Sequence, residues 1–215
     1  MEHHAAGDAH WAGRLNMRIC FFGDSFVNGF GDPHCQGWVG RICAKAWSRG
    51  DHVTADNCGV RRATSEDVRT NWLAEAAARL PIEHRAAVIF SFGANDRSIE
   101  ASGPRVSHER QIENVRAILT SAVSRWPTLF VSAPPAIHES ARADATRQVA
   151  TFAGICRDLQ VHFLDVGAAS SGFKRWRAEA LAGDGAHPGA GGYEEFADVV
   201  EAWPPWHALI DQLRN

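Results

Sequence analysis

Short apolar runs that stop at glycine or proline alternate along this chain with stretches of helical periodicity. Residues 18–22 (RICFF) end at Gly23, and residues 86–92 (AAVIFSF) end at Gly93. Residues 128–133 (TLFVSA) are stopped by Pro134 and Pro135, and residues 53–58 and 161–166 are two weaker runs. Apolar runs of this length fit strands buried on both faces. Between them, residues 37–49, 64–80, 107–125, 143–159 and 189–202 read as helices. Gly50 stops the first of these. Thr64 caps the second, with Asp67 three residues on and Pro81 just past its end. Ile112, Val115, Leu119 and Ala122 recur at helical spacing in the third. The last is expected to break at Pro204–Pro205. Five strands alternating with helices predict an α/β fold, a parallel sheet covered on both faces. Ligands of such sheets sit at the carboxyl ends of the strands.

The 215 residues suit one domain. Residues 1–17 read as a poorly ordered N-terminal extension ahead of a domain spanning 18–215, and Met17 is a second candidate start. A formal net charge of -3 argues against non-specific nucleic-acid binding, which relies on a basic field. No apolar run approaches the ~18 residues of a membrane span. The first sixteen residues lack the apolar centre of a secretory signal. Five cysteines without a CxxC pair read as reduced thiols, so a cytoplasmic location is expected.

Four segments carry side chains suited to chemistry. Ser25 follows the first strand in FFGDSFVNGFGD. A serine hydroxyl becomes a nucleophile only with a base in reach; alone, Ser25 serves equally well as a helix cap. Asp184 and His187 stand three apart in DGAHP. A carboxylate can orient one imidazole nitrogen while the other takes a serine proton, although a polar turn entering a helix has the same composition. Asn95, in GAND after the third strand, offers an amide N–H to a developing oxyanion, or simply closes the strand in an Asx turn. Gly59, after the second strand, either presents an unobstructed backbone N–H or is a turn glycine. Their order along the chain brings all four to one edge of a parallel sheet, which no single segment would require.

Together these blocks resemble the SGNH/GDSL hydrolase family. Gly23, Asp24, Ser25 and Gly29 match its first block; Asn57, Gly59 and Val60, with Thr64 downstream, match its second. Gly93, Asn95 and Asp96 match the third, and Asp184, His187 and Pro188 the last. The match spans residues 18–202. The resemblance implies a three-layer, flavodoxin-like α/β/α sandwich with a five-stranded parallel sheet. It implies a serine esterase or acylhydrolase with Ser25 as nucleophile, His187 as base and Asp184 as its partner. The oxyanion hole would comprise the Ser25 and Gly59 N–H groups and the Asn95 side chain. No cofactor or metal is implied, and the partner is a small-molecule ester.

Acyl transfer by such a site requires a neutral His187, so activity is expected to fall at acid pH. Specificity is expected from the loops at 26–38, 97–106, 134–142 and 168–183, whose shortness favours short-chain acyl or acetyl groups. Phe173 and Trp176 either wall an acyl pocket or pack in the core. Arg61–Arg62, where the family often has small residues, either draws anionic substrates or is a solvated charge pair. Two other readings compete. A metallophosphoesterase would need several Asp and His ligands around two metals, and no D-x-H directly follows an early strand. A flavodoxin-like binding module would need a phosphate-cradling loop, and neither GxGxxG nor a Walker sequence is present.

Overall fold

The computed structural model describes residues 17–81, 85–101, 103–169 and 172–215. Five parallel strands form the central sheet: β1 (Met17–Gly23), β2 (Val53–Gly59), β3 (Arg85–Ser91), β6 (Thr128–Val131) and β7 (His162–Leu164). A two-stranded antiparallel ribbon, β4 (Ile99–Glu100) and β5 (Gly103–Pro104), stands apart from it. The sheet order is β2-β1-β3-β6-β7. The chain therefore reverses its direction of winding between β1 and β3, and the crevice of an open α/β sheet opens at such a reversal.

The helices are α1 (Ser25–Asn28), α2 (Gly37–Ser48), α3 (Ser65–Arg79), α4 (His108–Val123), α5 (Arg142–Asp158), α6 (Val166–Ala169), α7 (Lys174–Ala182), α8 (Ala190–Glu201) and α9 (Pro204–Arg214). Alternate residues of β1 feed two separate cores. Met17, Ile19 and Phe21 join Trp38, Phe196 and Trp206 on one face. Cys20 and Phe22 join Trp72, Ile118 and Phe152 on the other. Both faces of the sheet are thus covered, which is why β1 is apolar from Ile19 to Phe22. Burying one such Phe or Ile contributes about 1.5–3 kcal/mol. All five cysteines are free thiols. No helix among the described residues is long and apolar enough to cross a membrane.

Most of the expected elements form close to their predicted limits. The cap of α3 is a full capping box: Thr64 accepts the Asp67 N–H, and Asp67 accepts the Thr64 N–H. Four expectations need correction. Met17 is not part of an extension; it opens β1 and is buried, while residues 1–16 lie outside the described residues. The fifth strand stops at Leu164, and Val166 begins α6. The expected loop at 168–183 contains α7, hidden in the sequence because only Trp176 and Ala180 of its nine residues are buried. Finally, Pro204–Pro205 does not end the helical region but starts α9. Proline suits a first helical turn, where its missing N–H has no partner to lose.

Register decides where the site forms. Gly23 of β1 lies level with Gly59 of β2 and with Ser91 of β3. The segments that follow β1 and β3, and the end of β2, therefore emerge on one rim of the sheet.

Candidate active site

Ser25 is the first residue of α1, a single turn held from several sides. The Asp24 carboxylate accepts the Phe26 N–H at 2.9 Å, and the Gly29 N–H returns to the Ser25 carbonyl at 3.0 Å. The Asn57 amide donates to the Val27 carbonyl at 2.7 Å from β2. A Cβ on Gly59 would lie 2.2 Å from the Asn28 nitrogen, so only glycine lets the end of β2 press against α1. Ser25 is left 5% exposed, and its own N–H has no intramolecular acceptor among the described residues.

His187 arrives from a loop 162 residues later. Asp184 Oδ1 accepts the backbone N–H groups of Ala186 at 2.9 Å and His187 at 2.8 Å, a local turn helped by Gly185 at φ 82°. Its other oxygen lies 2.7 Å from His187 Nδ1, and His187 Nε2 lies 2.7 Å from Ser25 Oγ. Burial works to raise the Asp184 carboxyl, but the His187 N–H, the His187 ring and the Ala186 N–H outweigh it and hold it down at about 2. Phe26 and Phe30 flank the imidazole at ring-centroid distances of 5.1 Å and 4.9 Å. The loop docks closely: a Cβ on Gly31 would lie 2.6 Å from the Pro188 carbonyl oxygen, and the buried Tyr193 hydroxyl donates to the Phe30 carbonyl at 2.8 Å.

Asn95 sits in a turn after β3, directed at the same place. Its amide donates to the Ala63 carbonyl at 3.0 Å and, at a longer 3.3 Å, to Asp24 Oδ2. The neighbouring Asp96 is fully buried and accepts the Ser65 N–H at 2.7 Å, which ties this turn to the start of α3. Burial pushes the Asp96 carboxyl up to about 6. Burial also pushes Asp24 up to about 7; the Phe26 N–H opposes that rise and repulsion from Asp96 adds to it. Gly59 reaches the rim, but its N–H donates to Asn57 Oδ1 at 3.0 Å. Of the expected site residues, Ser25, His187 and Asp184 are joined by direct hydrogen bonds. Asn95 and Gly59 adjoin α1 with their donors occupied within the protein.

The two arginines after the second block part company. The Arg61 guanidinium stacks 3.5 Å from the centre of the Phe30 ring, beside His187, whereas Arg62 turns into a left-handed conformation at φ 67°. Phe173 and Trp176 are core residues, 3% and 1% exposed; Trp176 meets the site through Phe26 and Tyr193, each at 5.4 Å between ring centroids. Among the described residues no group of three or more His, Cys, Asp or Glu is placed to hold a metal ion. Asp24 stands in the first block and Phe26 and Phe30 in the expected specificity loop at 26–38, but neither they nor Tyr193 have a defined place in the site from sequence alone. The spacing of Phe26 and Phe30 on either side of one helical turn was the available signal for the aromatic walls.

The sequence signature of the GDSL-like Lipase/Acylhydrolase family matches residues 21–195. The chain belongs to that family. Its activity is carboxylic ester hydrolysis. No curated protein sequence matches the chain. Among solved structures it is similar to LAE5, an alpha/beta hydrolase enzyme from the metagenome of Lake Arreo, Spain, with a TM-score of 0.71 and 16% identity, covering 92% of this chain and 96% of that one. It is also similar to Axe2, an acetylxylan esterase from Geobacillus stearothermophilus, with a TM-score of 0.69 and 17% identity, covering 86% of this chain and 94% of that one. Three further matches are catalytic mutants of Axe2, at a serine, an aspartate and a histidine.

Proposed function

We propose that the protein hydrolyses acetyl or other short-chain esters through an acyl-enzyme on Ser25. The observation that carries this reading is the line Asp184 Oδ2–His187 Nδ1, His187 Nε2–Ser25 Oγ, with both separations 2.7 Å. In this role His187 takes the Ser25 proton as Oγ attacks the carbonyl, then returns it to the leaving alkoxide. A water, activated by the same nitrogen, releases the acid. Asp184 is poised to hold the ring with Nδ1 protonated and to stabilise the imidazolium; a carboxyl held at about 2 stays ionised throughout. The Ser25 N–H is the donor ready for the oxyanion. The Asn95 amide joins it by exchanging its long bond to Asp24, and the Gly59 N–H by sharing its bond to Asn57. No cofactor enters the scheme.

The short-acyl preference draws on the name of Axe2, an acetylxylan esterase, and on the short loops around the site. The test is hydrolysis of p-nitrophenyl esters from acetate to decanoate by wild type and Ser25→Ala. Wild-type kcat/KM should be highest at the short end. The variant should lose about six orders of magnitude in kcat, to background. A Ser25→Ala protein that turns over at a measurable fraction of the wild-type rate overturns the assignment. A maximum at long chains overturns the acyl preference alone.

A further inference from the structure

A cavity of about 350 Å³ lies beside Arg97, between the carboxyl ends of β6 and β7 and the face of α5. Its walls are mainly small and apolar, including Pro134, Pro135, Ala145 and Val149. Into this lining comes Arg97, two residues past Asn95 in the same turn. Among the described residues Arg97 forms no ion pair. Its Nε donates to Gln148 Oε1 at 3.1 Å, and Nη1 donates to the Ala141 carbonyl at 3.4 Å. Nη2 has no acceptor among the described residues.

The guanidinium is oriented in advance. Gln148 is buried, and its Nε2 donates to the Gly93 carbonyl at 2.9 Å and to Gln111 Oε1 at 2.8 Å. Its oxygen is therefore held facing Arg97. Burial draws Arg97 down from its ordinary pKa, against the pull of Asp144, Asp96 and Asp24, but a guanidinium keeps its charge in a protein. Two other charged groups line the cavity. Arg142 is already bound to Glu139 at 2.6 Å, and Asp165 Oδ1 accepts the Ala168 N–H at 3.0 Å. Arg97 is half-buried, and none of Asp144, Asp96 and Asp24 lines the cavity, so its free donor faces the lining without a directly paired acid. An incoming anion supplies that partner.

We propose that this cavity binds a carboxylate-bearing part of the ester substrate, with Arg97 holding the carboxylate and the Ala, Pro and Val walls covering its carbon frame. The inference rests on the esterase reading and adds a substrate class to it. A single free Nη in an apolar lining suits a monoanion. A phosphate dianion would carry a second charge toward Asp165.

The experiment compares three esters. One is p-nitrophenyl acetate, which is neutral. The second, the mono-p-nitrophenyl ester of glutaric acid, carries the carboxylate on the acyl side. The third, 4-acetoxybenzoate, carries it on the alcohol side. Relative to p-nitrophenyl acetate, Arg97→Gln should lower kcat/KM for one carboxylated ester by about tenfold or more, through KM, as expected for loss of one charge-assisted hydrogen bond. Whichever ester responds identifies the side of the substrate that enters. Ala145→Leu keeps the charge and fills the space, so it should penalise the same ester even if the arginine variant folds poorly. Equal changes on all three esters, or none, overturn the inference. So does a wild type that accepts p-nitrophenyl acetate but neither carboxylated ester. A wild type inert on all three sinks the esterase reading itself.

Discussion

The two ends of the Ser25–His187 pair are positioned by opposite means. At the serine end, α1 is gripped by β2, and Asp24 lies fully buried beneath Asn95, its carboxyl driven up to about 7. At the histidine end, Asp184 is about half exposed, and two N–H groups from its own turn, with the His187 ring, hold its carboxyl at about 2. One end is placed by tertiary burial and carries the energetic cost of a desolvated acid. The other is shaped by local hydrogen bonds and only docks at the end. In the proposed reaction the Ser25 nucleophile must not move between turnovers, whereas the His187 imidazole must rock between the serine, the leaving group and water. A stiff serine end and a locally sprung histidine end divide those demands.

That contrast can be broken experimentally. The largest effect is expected for Asp184→Asn. Its oxygen can still accept the two turn N–H groups, but an amide facing Nδ1 favours the wrong tautomer. kcat should fall about 10⁴-fold while the melting temperature hardly changes. A melting temperature that collapses with activity would mean that the histidine loop is a folding element rather than a local turn. Asn95→Ala comes next. It should lower kcat by about 10²–10³, the loss of one oxyanion donor. Unlike the aspartate variant, it should also destabilise by about 1 kcal/mol, because the bond to the Ala63 carbonyl is lost. Wild-type turnover by this variant would remove Asn95 from the site.

The last test concerns the pH dependence of stability and leaves turnover aside. Folded Asp24 keeps its proton up to about 7, whereas the unfolded chain releases it near ~3.9. The stability it contributes is therefore complete below that lower value and is lost as pH rises through about 7. Urea titrations of wild type and Asp24→Asn should show the wild type losing ground steadily between pH 4 and 7. Asp184 works the other way: its contribution is present above the ordinary carboxylate range and is lost as pH falls toward about 2. A flat difference between wild type and Asp24→Asn would show that the serine end is not under the electrostatic load described here.

Much of this was legible before folding. Runs such as residues 86–92 advertise buried strands because a strand covered on both faces has no polar side. The box at Thr64 and Asp67 is local chemistry and reads directly. The turn at 184–188 is equally local: Asp184 meets the Ala186 and His187 N–H groups and the His187 ring within four residues. Helix α7 escaped notice because a nine-residue helix with two buried side chains has too weak a periodicity. At Pro204 the same residue type that ends helices opens one, and the sequence alone does not separate the two.

The residues able to do the chemistry, and the order in which strands deliver them, follow from the sequence alone, since both depend on neighbours a few positions apart. What only the tertiary structure decided is how the groups meet across the chain. The level register of Gly23, Gly59 and Ser91 brings the serine and asparagine segments to one rim, and the docking of the loop at 184–188 onto Gly31 sets His187 2.7 Å from Ser25. The charge states of Asp24 and Asp184 were decided there too. Two aspartates of the same composition differ because one is stripped of water and the other is met by N–H groups, and exposure is a property of the folded whole.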